Sequence, residues 1–390
     1  MLKPSNRGFL REPNKADMAK HSVLKPSQQR IAAGEVWRAG HWLIRSGPSF
    51  GSLVAVLFCL AAINFRANAT DLPDIKFEEV RIGNGLEPPL IAGIWSPVRD
   101  TSVHGRALVV LSHGGGASYQ AHSDTAIALA RAGFVAAAVT HAGDSTGDQS
   151  RVLELWRRPR QLSRLITYML KEWPGRHNID PNRVGAFGFS NGGFTVLVSA
   201  GGQPDLRRIG PYCNHHPSHD LCTALTRAGL DPSQLPIRIP RDAWRRDPRI
   251  KTIVVEAPAF GFTFGREGLS RVQVPVQIWS AANDRHQPHP YYDEAVRDGL
   301  PGLVDYHLIP LAGHFDFLQP CDARLTAAAP MICNSAQGFD RAAFHQTLNA
   351  GIVRFFRAHL GRTVPPGPRS TRRYHRLLHR DTLIRKSSPS

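Results

Sequence analysis

From about Ile91 onward, the chain alternates between short apolar runs and longer stretches in which apolar residues recur every three or four positions. Short runs rich in Val, Ala and Leu predict strands that are buried on both faces, and the longer period predicts amphipathic helices. The predicted strands are 106–111, 134–139, 184–189, 252–256, 276–280 and 304–309. The predicted helices are 123–132, 160–173, 191–200 and 341–360.

Strand and helix in this alternating order predict an α/β fold, with a mostly parallel central sheet and helices on both faces. One segment, residues 201–249, interrupts the rhythm and is rich in Pro, Arg, Asp and His. A connection of this length predicts an insertion. It leaves the sheet beside the helix at 191–200, so it is either a cap over a site or a surface decoration.

The two ends of the chain have a different character from its middle. An apolar run of 15 residues at 51–65, followed by Ala67-Asn68-Ala69, has the layout of a secretory signal peptide. We therefore expect residues 1–69 to be a leader with a long basic start, residues 70–360 to form the folded domain, and residues 361–390 to be a basic, disordered tail. The alternative is an uncleaved N-terminal anchor, although the run is shorter than the roughly 20 residues of a membrane span.

The formal net charge of +17 at first suggests a nucleic-acid partner. Residues 1–69, however, hold 10 Lys/Arg against 3 Asp/Glu, and residues 362–390 hold 8 against 1. The domain between them is left with a net charge of only +3. We therefore expect no nucleic-acid partner, and no stable membrane insertion once the leader is removed.

The folded domain contains four cysteines, an even number that in an exported protein favours disulfides. Proximity along the chain favours the pairs Cys213–Cys222 and Cys321–Cys333. The alternative is a metal site, because three histidines crowd the first pair. These are His215, His216 and His219. The spacing matches no familiar zinc pattern, so the prediction is two disulfides and no metal, in the periplasm or outside the cell.

The strongest chemical motif is Gly-Phe-Ser-Asn-Gly at 188–192, which closes a predicted strand and opens a predicted helix. G-x-S-x-G in this context is typical of a nucleophilic serine raised on a tight turn, where glycines leave the room that the turn requires. Ser190 is therefore the predicted nucleophile. Phe189 is expected beside the substrate, and the backbone N–H of Asn191 is expected to stabilise an oxyanion.

A second glycine-rich turn, His-Gly-Gly-Gly at 113–116, follows the strand at 106–111 and predicts the other oxyanion donor. The candidates are Gly114, Gly115 and Gly116, and the sequence leaves the choice between them open. A phosphate-binding turn is the alternative, but the Lys-Ser/Thr of a P-loop does not follow. His113 is expected to order its own loop, and His141, after the next strand, to be structural or adjacent to the substrate.

The remaining members of a catalytic triad must follow Ser190 in the order acid, then histidine. Asp284 lies just past the strand at 276–280, and His314 follows the last predicted strand. Asp284 is predicted to orient His314, which acts as the general base. The alternative acids are Asp293, in a predicted helix, and Asp305, at a strand start, and both are expected at the surface.

Taken together, HGGG after a strand, GFVAAAVTHAGD, GFSNGG, the AAND turn and AGHFDFLQPC resemble the predicted dienelactone-hydrolase-like branch of the α/β-hydrolases, which is similar to the platelet-activating-factor acetylhydrolases. The resemblance spans roughly residues 75–360. It implies the α/β-hydrolase fold and hydrolysis of a small-molecule carboxylic ester without a metal or organic cofactor. Ser190 stands where true dienelactone hydrolases use cysteine, and the acetylhydrolases use serine.

The sequence therefore predicts a serine esterase that works through an acyl-enzyme intermediate. Two alternatives stay open. The same triad serves peptidases, amidases and polyesterases, because only the shape of the pocket separates them. A non-catalytic binding protein of the same fold is the other, although such proteins usually lose a triad member.

Overall fold

The structure is a computed structural model that describes residues 74–98, 105–235 and 238–361. The predicted leader at 1–69 lies outside the described residues, as does the predicted tail beyond Gly361. The strands are β1 Ile75–Asn84, β2 Glu87–Pro97, β3 Arg106–Ser112, β4 Val135–Thr140, β5 Ile179–Phe189, β6 Ile250–Glu256, β7 Val276–Ala281 and β8 Val304–Ile309. The helices are α1 Ser123–Arg131, α2 Arg157–Lys171, α3 Asn191–Ala200, α4 Ile209–His215, α5 Asp220–Arg227, α6 Gly265–Leu269, α7 Asp293–Gly299, α8 Ala323–Ala328, α9 Pro330–Cys333 and α10 Arg341–Leu360.

All eight strands form one sheet in the order β1-β2-β4-β3-β5-β6-β7-β8. The strands from β3 to β8 pair in parallel, and β2 runs antiparallel to both of its neighbours. The predicted mostly parallel sheet is confirmed. Because the six parallel strands point the same way, their carboxyl ends meet at one edge of the sheet, where ligands bind in folds of this kind.

Successive side chains of the central strands point to opposite faces of the sheet, so the sheet lies between two apolar layers. Leu108 and Val110 of β3 pack with α2, α3 and α7 on one face of the sheet. Val109 and Leu111 pack with α1 and α10 on the other face. The central strands are buried on both sides, which explains why they are continuous apolar runs rather than alternating ones.

The segment 201–249 contains α4 and α5 and has a small apolar core of its own, with Leu206, Ile209, Tyr212 and Leu225 buried. The Cys213–Cys222 disulfide joins its two helices, with 5.3 Å between the Cα atoms. The second predicted disulfide, Cys321–Cys333, is also present and joins the approach to α8 with the end of α9. Within the described ranges, no helix has the length and apolar character needed to cross a membrane.

Candidate active site

Ser190 occupies the tight turn between β5 and α3, with backbone angles of φ 53° and ψ −118°. Its N–H donates to the carbonyl of Glu256 on β6 at 2.9 Å, and its carbonyl accepts from the N–H of Phe194 in α3 at 3.0 Å. A non-glycine residue at positive φ is strained, so the neighbouring strand and helix must impose this conformation. The turn holds the hydroxyl at the carboxyl edge of the sheet.

The two flanking glycines are required because backbone passes close to both. A Cβ added at Gly188 would lie 2.1 Å from the carbonyl oxygen of Gly192. A Cβ added at Gly192 would lie 1.9 Å from the carbonyl oxygen of Ser112 in β3. Because these atoms belong to the backbone, the clash cannot be relieved by a side-chain rotation, which is the physical content of the G-x-S-x-G pattern.

Three side chains form a hydrogen-bonded line that starts at Ser190. His314 Nε2 lies 3.1 Å from Ser190 Oγ, and His314 Nδ1 lies 2.7 Å from Asp284 Oδ2. An ionised carboxylate only accepts hydrogen bonds, so Nδ1 carries the proton and Nε2 is left to accept from the serine hydroxyl. This is the arrangement in which an imidazole can take a proton from serine.

Asp284 is held as a carboxylate by several partners. Burial alone would raise its pKa, but the charge and hydrogen bond of His314, together with the N–H of Gln287, bring the pKa below its ordinary value. Asp284 Oδ1 accepts from the backbone N–H groups of His286 and Gln287 at 2.8 and 2.7 Å. Bonds from fixed N–H donors favour the charged form of a carboxyl and also set its direction toward His314.

The other two candidate acids occupy different positions. Asp305 is exposed at the start of β8, as expected. Asp293 is only 1% exposed at the start of α7, so its expected position at the surface was wrong. Burial raises the pKa of Asp293 well above its ordinary value, which favours the neutral acid. A neutral acid is poorly suited to stabilise a charged imidazole, so of the three acids only Asp284 has both the position and the charge.

The glycine turn at 113–116 lies against the nucleophile turn. The N–H of Gly116 donates to Asp144 Oδ1 at 2.8 Å, which removes Gly116 from the predicted oxyanion donors. Gly114 and Gly115 both line the cavity beside Ser190. Asn191 is the first residue of α3, where a helix leaves its backbone N–H groups without partners inside the helix. Asn191 and one of these two glycines are therefore the remaining candidate donors.

A buried ion pair that the sequence did not indicate supports this arrangement. Arg158 Nη1 lies 2.6 Å from Asp144 Oδ2, and the two side chains are only 2% and 5% exposed. Arg158 also donates to the carbonyl of His113 and, at 3.0 Å, to Thr195 Oγ1 in α3. Asp144 bonds the N–H of Gly116. The pair thus links the glycine turn at 113–116 to α3, the helix that follows Ser190, through hydrogen bonds.

His113 and His141 lie behind the glycine turn and are not among the residues that line this cavity. His113 Nδ1 is 2.6 Å from the carbonyl of Gly114, and its Nε2 accepts from the N–H of His141 at 3.0 Å. Burial lowers the pKa of His113 to about 3. His141 bridges Ser112 and Gln161 at 2.8 and 2.9 Å. Both rings are neutral supports of the turn.

A cavity of about 120 Å³ opens beside Ser190 and His314. Phe189 lines it, together with residues from the chain between His314 and α9. No group of three or more His, Cys, Asp or Glu in the described part of the chain is arranged to hold a metal ion. The alternative metal site near Cys213 also loses its thiolates to the disulfide.

No family model and no curated protein matches the chain. Among solved structures, it is similar to a ferulic acid esterase from Streptomyces cinnamoneus, with a TM-score of 0.50 and 16% identity over 76% of this chain and 94% of that one. The chain has the α/β-hydrolase fold. In this α/β-hydrolase fold, Ser190, Asp284 and His314 follow β5, β7 and β8 at one edge of the sheet.

Proposed function

We propose that this protein is a serine hydrolase that cleaves carboxylic esters through an acyl-enzyme intermediate. The observation that carries the proposal is the hydrogen-bonded line from Ser190 through His314 to Asp284 at the carboxyl edge of the sheet. The identity of 16% to an esterase supports the fold alone, so the reaction is inferred from the site. The finer likeness, to dienelactone-hydrolase-like and acetylhydrolase-like enzymes, is proposed from the sequence motifs.

In the first half-reaction, Ser190 Oγ attacks the ester carbonyl while His314 Nε2 takes the hydroxyl proton. The carbonyl oxygen becomes an oxyanion, which the N–H of Asn191 and that of Gly114 or Gly115 stabilise. The tetrahedral intermediate then collapses, and the alcohol leaves with the proton held by His314. Asp284 stabilises the charged imidazole during these steps without taking its proton.

In the second half-reaction, water attacks the acyl carbonyl and His314 Nε2 accepts a proton from that water. A second oxyanion forms at the same donors, and the acid leaves as Ser190 recovers its proton from His314. Only the neutral imidazole can accept a proton, so His314 must be uncharged at the start of each half-reaction.

The test is hydrolysis of p-nitrophenyl acetate, butyrate and hexanoate by the purified chain, beside Ser190→Ala. We expect turnover by the wild type and a loss of at least about 1,000-fold in kcat for the variant. Ser270→Ala, at an exposed serine that is not among the residues lining the cavity beside Ser190, is the matched control and should keep full activity. Turnover that survives in Ser190→Ala would overturn the proposal.

The proposed location is the periplasm or the exterior of the cell. Two disulfides, Cys213–Cys222 and Cys321–Cys333, support an oxidising compartment, because thiols stay reduced in the cytosol. The signal-peptide layout of residues 51–69 agrees with export.

A further inference from the structure

The cavity beside Ser190 has one wall that is built separately from the sheet. The chain after His314 continues into α8 and α9, and Leu325, Ala329 and Ile332 of this stretch form a small apolar cluster. Leu325 and Ile332 both line the cavity. The wall is therefore a short helical segment, residues 321–333, rather than part of the sheet.

A disulfide and the hydrogen bonds of Arg341 hold this wall in place. The Cys321–Cys333 disulfide closes the segment, with 5.8 Å between the Cα atoms. Arg341, buried at the start of α10, donates to the carbonyl of Ile332 at 2.9 Å and to Asp316 Oδ1 at 3.0 Å. Asp316 in turn accepts from the N–H of Gly313, beside His314. The position of the wall is thus tied to the loop that carries the proposed base.

Most of the cavity lining is apolar, and its polar side chains are those of Ser118, Thr146, Ser190, His314 and Gln319. Its apolar members outside the nucleophile turn are Ala117, Ala121, Phe315, Leu318, Leu325 and Ile332. Among the described residues, no Asp, Glu, Lys or Arg lines the cavity. Arg341, a buried cation behind this wall, is ion-paired with Asp316 and donates to the carbonyl of Ile332. A substrate carboxylate placed here would therefore lose its water without gaining a Lys or Arg partner.

The polar side chains of the lining already have partners within the protein. Ser118 Oγ accepts from the N–H of Gln120 at 3.3 Å, and Thr146 Oγ1 donates to the carbonyl of Gly116 at 3.1 Å. Gln319 Oε1 accepts from Ser123 Oγ at 3.1 Å. Each of these side chains keeps further donor or acceptor capacity, but none of the three carries a charge that could pair with a carboxylate.

We propose that the disulfide-held segment 321–333 forms the end wall of an acyl subsite that selects neutral, apolar acyl groups and rejects acyl groups that carry a carboxylate. The subsite rests on the proposed ester hydrolysis. Ser190, Gly114 and Gly115 line the same cavity as Phe315 and Leu325, so an acyl group bonded to Ser190 Oγ, with its oxygen toward the glycine turn, has this cavity to occupy. An apolar cavity of comparable size, ~150 Å³, holds one benzene ring, which sets the scale of the group.

The first arm compares p-nitrophenyl hexanoate with the p-nitrophenyl half-ester of adipic acid, which has the same number of acyl carbons and a terminal carboxylate. We expect kcat/KM for the half-ester to be at least about 100-fold lower, because the buried charge lacks a partner. Equal kcat/KM values would overturn the subsite while leaving the esterase intact. If neither these esters nor the acetate were hydrolysed, the proposed function itself would fail.

The second arm fills the cavity from its end wall. Leu325→Trp and Ile332→Trp should each lower the hexanoate-to-acetate ratio of kcat/KM by at least about tenfold, because excess volume in an apolar pocket penalises the longer chain. Ala327→Trp, exposed on the same helix, should leave the ratio unchanged. Retained acetate turnover shows that each variant is folded. An unchanged ratio in both lining variants would contradict the assignment of the wall.

The third arm removes the Cys321–Cys333 disulfide. The double variant Cys321→Ser/Cys333→Ser should lose chain-length selectivity, with a severalfold shift in the hexanoate-to-acetate ratio. The matched control is Cys213→Ser/Cys222→Ser, which removes the disulfide of the segment 201–249 and should keep the ratio of the wild type. Equal shifts in the two double variants would mean a general loss of stability and would overturn the role of the wall.

Discussion

At the scale of single residues, the position of a charge matters more than the presence of an acidic side chain. Asp284 and Asp293 are both buried. Asp284 accepts two backbone N–H groups and faces His314, so its pKa is lowered despite burial. Asp293 is desolvated, and its pKa is raised. Two buried aspartates on neighbouring stretches of chain are therefore expected in opposite charge states.

This difference makes the identity of the proposed acid testable. Asp284→Asn should lower kcat by about 10,000-fold, because an amide in its place favours the wrong tautomer of His314. Asp293→Asn replaces a neutral acid by a neutral group of the same shape, so kcat should stay within about tenfold. Both variants are assayed with p-nitrophenyl butyrate and checked by circular dichroism. A loss of similar size in both variants would argue against Asp284 as the specific partner of His314.

The residues of the proposed triad could be predicted from the sequence because each lies directly after a strand that its apolar run reveals. Ser190 also stands in a motif that the backbone contacts of Gly188 and Gly192 require. The burial of Asp293 could not be predicted, because a charged residue at a helix start normally lies in water. Tertiary packing around α7 decided its environment.

At the scale of elements, the six parallel strands could be predicted, whereas β1 and β2 were not assigned. β1 is an edge strand with the sequence IKFEEVRIGN, in which most side chains are partly or fully exposed. A strand that lies at an edge lacks the continuous apolar run of a central strand. Helix α2 also begins earlier than predicted, at Arg157, and the side chain of Arg158 in its first turn is buried.

The Arg158–Asp144 ion pair links three elements, and this gives a prediction at the same scale. Asp144→Asn should lower kcat about 10- to 100-fold with a smaller change in KM, because an amide that still accepts from the N–H of Gly116 turns its NH2 group toward Arg158 and so disturbs the position of the glycine turn. The free energy of unfolding should fall by about 3–5 kcal/mol, because the buried Arg158 charge is left unpaired.

A surface pair provides the control for this variant. Arg160 Nη2 lies 2.8 Å from Asp242 Oδ1, and the two side chains are 41% and 63% exposed. Asp242→Asn should change stability by less than about 1 kcal/mol and leave kcat unchanged, because solvent screens an exposed pair. Steady-state kinetics and urea unfolding of both variants decide the matter. A fall in stability for Asp144→Asn with kcat fully retained would show that the buried pair has no part in positioning the turn.

At the scale of the whole molecule, the buried titratable groups under the site set how stability depends on pH. Burial lowers the pKa of His113 to about 3 and that of His122 to about 4. Both rings are neutral when folded but bind a proton when unfolded below about pH 6.5, so stability should fall as the pH drops below that value. Glu256 has the opposite effect on stability, which it lowers as the pH rises, because burial raises its pKa well above the ordinary value.

The contribution of Glu256 to the pH dependence of stability can be measured separately from that of the histidines. Neither of its carboxyl oxygens has a hydrogen-bond partner among the described residues, and the side chain is fully buried. The unfolded chain releases this proton above about pH 4.5 while the folded chain keeps it, so the group lowers stability by up to about 1.4 kcal/mol per pH unit as the pH rises. Glu256→Gln cannot ionise, so the free energy of unfolding of the variant should increase relative to that of the wild type between pH 5 and pH 8, as measured by urea titrations with both disulfides intact. Asp293→Asn should also become more stable relative to the wild type as the pH rises, because the Asp293 carboxyl that it replaces is held neutral by burial. A difference between variant and wild type that stays constant from pH 5 to pH 8 would mean that Glu256 is ionised in the folded protein.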